Sequence, residues 1–187
     1  MRSIVVLVLA LFVLTACQPD YVTSDRLEPF AQHNTLTDAR HEINALALEH
    51  ESRVSEAYTR LSSSEEKVAF DVVRAKRQLL GSRHSQRPDV DTMIDVHAYT
   101  AYSEIARARA RIEGFDSDAR AALVEQRARI DALPLETITP GSVEPIIRAA
   151  REALENDKLE GWVNTAEEAS VNVARQFENE LNKIRST

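Results

Sequence analysis

Five histidines, His33, His41, His50, His84 and His97, offer the widest chemical repertoire in this chain. Zinc-protease chemistry needs two His one helical turn apart with a Glu between them, so that both rings meet one ion; no HExxH occurs. A di-iron bundle needs Glu three residues before His, and none of the five has one. His41 and His50, each followed by Glu, fall half a helical turn out of phase and cannot share one ion on a single helix. Nucleophilic catalysis has no GxSxG elbow and only one thiol, Cys17. Carboxylates are abundant, but no pair is set apart by its context, so a glycosidase-type acid and base cannot be nominated. The expectation is a protein that is not an enzyme and holds no metal.

Four other side chains are candidates for partner contact. His97 lies on an apolar helical stripe close to Tyr99 and Tyr102. There a hydrogen-bonded interior His is the plain expectation, and a pH-sensitive contact the functional one. Arg107 and Arg111 share a helix face, whereas the intervening Arg109 diverges from each by 200°. A solvated face explains them, and an acidic partner is the alternative. Trp162, beside Gly161, is the one Trp and the largest aromatic available to anchor a contact.

The N-terminus carries the most specific signal. Arg2 precedes an unbroken apolar run, IVVLVLALFVL over 4–14, followed by Thr15, Ala16 and Cys17. That run is far shorter than the ~20 residues that span a bilayer. A basic start, a short apolar stretch and small residues read as a secretory signal over 1–16. The tetrad Leu14-Thr15-Ala16-Cys17 resembles the lipobox of bacterial lipoproteins. That resemblance implies cleavage before Cys17, a diacylglycerol on its thiol, and acylation of the new amino terminus. Gln18, where Asp would favour the inner membrane, implies the outer membrane with the chain facing the periplasm. Several acyl chains anchor stably where one does not. No cofactor is expected beyond the lipid on Cys17.

Composition narrows the fold class and the partners. The chain has 187 residues, of which 43% are hydrophobic and 5% aromatic, with four Gly and six Pro. Too few Gly remain for sandwich turns or phosphate cradles. Loss of 1–16 removes Arg2 and no acid, taking the formal net charge from −7 to −8. No basic footprint for nucleic acid or anionic lipid is present. Glu49–Arg53, Glu56–Arg60, Glu125–Arg129 and Arg151–Glu155 have the i,i+4 spacing of exposed helical ion pairs.

Residues 17–35 read as the lipidated end and a tether, and 36–187 as one all-α domain. The first helix is expected to begin after Thr35, with Leu36, Ala39, Ile43, Leu46, His50, Val54, Ala57 or Tyr58, and Leu61 on one stripe. Its steps lengthen to four between Leu46 and Val54, as at a coiled-coil stutter. Capping boxes at Ser62/Glu65 and Ser63/Glu66 predict a second helix, with Val68, Val72, Ala75 and Leu79 buried and Phe70, Val73 and Leu80 widening the face. One continuous helix to Leu80 is the competing reading. Gly81 ends this region, and 82–88 reads as a loop.

A third stripe, Val90, Ile94, His97, Ala101, Ile105, Ala108 and Ile112, is expected to stop at Gly114. Asp116 or Ser117 would cap the next helix, running from Ala119 to Leu133 with Gln126 on its stripe. Pro134 stops it, and 134–142 reads as a connector. Ser142 would cap a helix with Ile146, Ile147, Ala150 and Leu154. The last would open at the Thr165/Glu168 box after Gly161 and bury Ala166, Ser170, Val173, Phe177, Leu181 and Ile184. The fold class is therefore an all-α, elongated bundle or coiled-coil-like set of hairpins, with five or six helices and no β-sheet.

Two functions fit. One is a membrane-anchored envelope scaffold, adaptor or accessory protein that binds an envelope partner or itself through helical faces. The other is a periplasmic bundle that binds a small ligand or metal.

Overall fold

A computed structural model describes residues 24–81, 88–155 and 158–186, with no side-chain description for 24–30 or residue 184. The signal segment, Cys17 and most of the 82–88 loop lie outside the described residues. Among those described there is no strand. Among the described residues, four α-helices stand where five or six were expected: α1 Ser24–Leu80, α2 Pro88–Asp131, α3 Pro140–Leu154 and α4 Lys158–Arg185, with a 3-10 turn at Leu135–Thr137.

The helices make three rods. Arg40 binds Asp131 and Lys76 binds Asp95, so α2 runs antiparallel to α1. Arg151 of α3 binds Glu42, and Arg60 and Arg74 bind Glu160 and Glu178 of α4. Thus α3 and α4 succeed one another along α1 in its own direction, as a third rod interrupted after Leu154. At 1.5 Å per residue, the 57 residues of α1 span about 85 Å.

The apolar stripes decide the helix count. On α1 the buried positions Leu36, Ala39, Ile43, Val54, Ala57, Leu61, Val68, Ala75 and Leu79 keep one face turned inward from Leu36 to Leu79. Leu61 and Val68 are fully buried on either side of the expected Ser62 break, with buried Ser64 between them. Packing against two other rods therefore carries the helix through a segment whose local signals favour a cap. The helix likewise begins at Ser24 rather than after Thr35. Thr35 Oγ1 donates to the Ala31 carbonyl at 2.9 Å, and Thr165 Oγ1 to Gly161 at 2.8 Å. A hydroxyl that can cap a helix can equally bond back one turn inside it.

Gly114 and Gly161 correct the sequence reading in the same way. Both sit inside helices, α2 and α4, and no described Gly has positive φ. Gly81 does come directly after the end of α1. The cap of α3 is Thr139 rather than Ser142. Thr139 Oγ1 accepts from the Ser142 amide at 3.2 Å, and Ser142 Oγ accepts from the Thr139 amide at 2.9 Å. Just before it, Ile138 is buried, so the connector contributes to the core. Phe70, Val73 and Leu80, expected to widen the buried face, are instead exposed.

The core divides into two clusters along the rod. One joins Leu36–Ile43, Ala119–Ile130 and Val143–Leu154; the other joins Val54–Leu79, Val90–Ile112 and Leu159–Leu181. Phe115 packs against both. At this level all three rods lose regular spacing. In α1 the inward steps run Leu46, His50, Val54; in α2 they run Phe115, Ala119, Leu123; and the third rod breaks between Leu154 and Lys158. The expected stutter at His50 is thus shared across the whole cross-section. It is a joint.

Candidate functional site

The joint holds the most deeply buried His described. His50 is 3% exposed, and its Nε2–H donates to Asp116 Oδ1 at 2.9 Å. Asp116 also accepts from Arg120 Nε, at 2.9 and 3.0 Å to its two oxygens. The Phe115 ring stands edge-on to His50, with centroids 5.2 Å apart and planes at 75°. A His on an inward heptad position must find a partner, because a buried imidazole N–H without one costs about 1–3 kcal/mol. Asp116 supplies that partner from α2 and fixes the level at which α1 and α2 pair. Beside it, Leu46, Glu49, Arg53, Arg151 and Leu154 line a groove where the third rod breaks.

A second polar cluster ties α1 to α4. Arg60 makes a two-pronged bond to Glu167, Nε–Oε1 at 2.9 Å and Nη2–Oε2 at 2.8 Å. It also reaches Glu160 Oε2 and Asn164 Oδ1, each at 2.8 Å. Its two hydrogen-bonded carboxylates raise the Arg60 guanidinium above its usual range, and the bond from Arg60 holds the Glu167 carboxyl below its ordinary value. The expected local pairs give way to contacts between rods. Arg60 binds α4 rather than Glu56 and Arg151 pairs with Glu42 of α1, whereas Arg129 turns to Gln126 on its own helix. An arginine at i+4 from a Glu has enough reach to choose a carboxylate on a neighbouring rod, where the planar fork matches both oxygens.

A long open groove between α1 and α2 is lined by Ser55, Tyr58, Ser62, Glu66 and Asp116. Burial pushes the Tyr58 phenol up, with Glu113 and Asp116 adding to it and Arg109 opposing. Among the described residues, no group of three or more His, Cys, Asp or Glu is placed to hold a metal ion. No described helix is long and apolar enough to cross a membrane.

The nominated contact residues do not converge. Trp162 is half-buried and packs against the distal core cluster. His97 is half-buried on α2, next to the fully inward Ala98. Arg107 is exposed and paired with Glu104 one turn away, and Arg111 is exposed. Cys17 lies outside the described residues. Asp116 was hidden from sequence reasoning because it reads as a helix cap. Its position four residues after Ile112 and three before Ala119 is the signal that it faces inward.

Comparison with protein-family models, curated proteins and solved structures finds no match for this chain.

Proposed function

We propose that the chain is a lipid-anchored, non-enzymatic helical scaffold or adaptor of the bacterial cell envelope, held by acyl chains on Cys17 at the periplasmic face of the outer membrane. The observation that carries this reading is the rod itself. Its core runs through two consecutive clusters along a 57-residue helix, and its polar clusters join rod to rod. Such a body offers length and lateral faces, which is what a spacer or docking platform uses. The lipobox tetrad supplies the anchor, and the acidic surface argues for protein rather than nucleic-acid partners.

Labelling cells with palmitate tests the anchor. The intact chain is expected to take up label and to sediment with membranes, while Cys17→Ser takes up none. Purification of the lipidated chain in detergent is expected to yield one envelope protein in fixed stoichiometry, or a defined self-oligomer. An unlabelled chain overturns the anchor. A labelled chain recovered only as monomer overturns the scaffold, and a small molecule retained through native mass spectrometry would favour a ligand-binding bundle.

A further inference from the structure

Most of the large apolar side chains left exposed on the described residues gather at the end of the rod farthest from Leu36. Phe70, Val73 and Leu80 on α1 are 67, 55 and 71% exposed, and Val96 and Tyr99 on α2 are 56 and 74% exposed. Their helical phase makes this a face. Phe70, Val73 and Leu80 lie across α1 from the buried Val68, Ala75 and Leu79. Val96 and Tyr99 likewise lie across α2 from the buried Ile94 and Ala101. Lys76 Nζ sets the level, reaching Asp95 Oδ1 at 2.7 Å and Asp91 Oδ1 at 3.4 Å. In the antiparallel pair, Val73 therefore comes level with Val96, and Phe70 with Tyr99.

The charges flanking the two strips have opposite signs. Over 67–80, α1 carries Lys67, Arg74, Lys76 and Arg77, and its one acid, Asp71, is buried against Arg74. Over 88–99, α2 carries Asp89, Asp91 and Asp95 and neither Lys nor Arg. Arg74 turns to Glu178 of α4 and Lys76 bridges to Asp91 and Asp95 within the chain, which leaves Lys67 and Arg77 on the α1 side and a net negative charge on the α2 side. A bilayer with anionic headgroups would be repelled by the α2 half. A second copy turned about a two-fold axis along the rod brings each basic strip onto the other's acidic strip, and does so twice.

We infer that this distal α1–α2 face is a self-association surface, on which two copies pair side by side with their rods parallel. In this arrangement α1 of each copy lies against α2 of its partner, Val73 facing Val96 and Arg77 facing the acidic turn that contains Asp95. Both N-termini then lie at the same end of the pair. This deepens the scaffold reading and rests on it only for the setting at one membrane; the contact itself needs no lipid.

The test uses the full-length chain in detergent solution with Cys17→Ser, which leaves no other thiol. Copies bearing Val73→Cys and copies bearing Val96→Cys, with different tags, are mixed and oxidised. The expected product is the mixed disulfide between the two kinds of copy, well above the two same-site disulfides. Val73→Asp with Tyr99→Asp, both on exposed positions, is expected to weaken the dimer at least ~10-fold by sedimentation equilibrium, at unchanged helicity. Same-site disulfides alone, a statistical mixture of the three, or a monomer at all concentrations would overturn the proposal. An unlabelled parent chain, with the mixed disulfide still formed in the Cys17→Ser chain, would strike the anchor and leave this contact standing.

Discussion

Glu167 is held ionised by the two-pronged bond from Arg60, which lowers its carboxyl below the ordinary 4.5. A carboxyl depressed on folding adds stability above that ordinary value and loses it as pH falls through the lower folded one. Glu167→Gln is therefore expected to be less stable than the parent at pH 7, with the gap closing as pH drops below about 4.5. Urea midpoints taken from pH 7 to pH 3 check this, and a constant gap would contradict it. His50 acts through its burial at the joint and its bond to Asp116. Truncation by His50→Ala removes ring contacts with Phe115 and the bond to Asp116. It is expected to cost about 2–4 kcal/mol, read from denaturant unfolding. The reach of Arg60 to a rod 107 residues along the chain to Glu167 is invisible in sequence, because i,i+4 spacing to Glu56 is the only partner that sequence displays.

Helix boundaries emerge from competition between local signals and packing. The inward stripes of Leu36–Leu61, Val90–Ile112 and Ala119–Ile130 are legible, except that Ala98 takes the inward place expected of His97, since three- and four-residue steps of apolar side chains specify a buried face without further information. So is the stutter at His50. The stops are not legible at Ser62, Gly114 and Gly161, where a hydroxyl or a missing side chain permits an end without requiring one. Because Gly114 and Gly161 adopt helical backbone with open space where a methyl would stand, Gly114→Ala and Gly161→Ala should each stabilise the fold by about 0.5–1 kcal/mol. Thermal melts are expected to rise by roughly 2–4 °C per kcal/mol for a chain of this size. A fall in either melt would mean that the helix is interrupted there after all.

At the scale of the molecule, three rods share one joint. His50, the inward steps around Ala119 and the gap after Leu154 come at one level, and the core changes cluster there. The exposed apolar side chains concentrate beyond that joint, at the end remote from Leu36. Phe70, Val73 and Leu80 misled sequence reasoning because apolar character predicts burial, while phase relative to Val68 and Ala75 places them outside. Trp162, His97, Arg107 and Arg111 are contact candidates by residue type alone. The face on α1 and α2 emerges only when two helices are set side by side.

Crosslinking of the chain in intact cells tests the proposed membrane-anchored scaffold most directly. A discrete crosslinked species of fixed stoichiometry, recovered from the membrane fraction and lost with Val73→Asp and Tyr99→Asp, is the predicted result. A chain that remains monomeric under crosslinking in cells would contradict it.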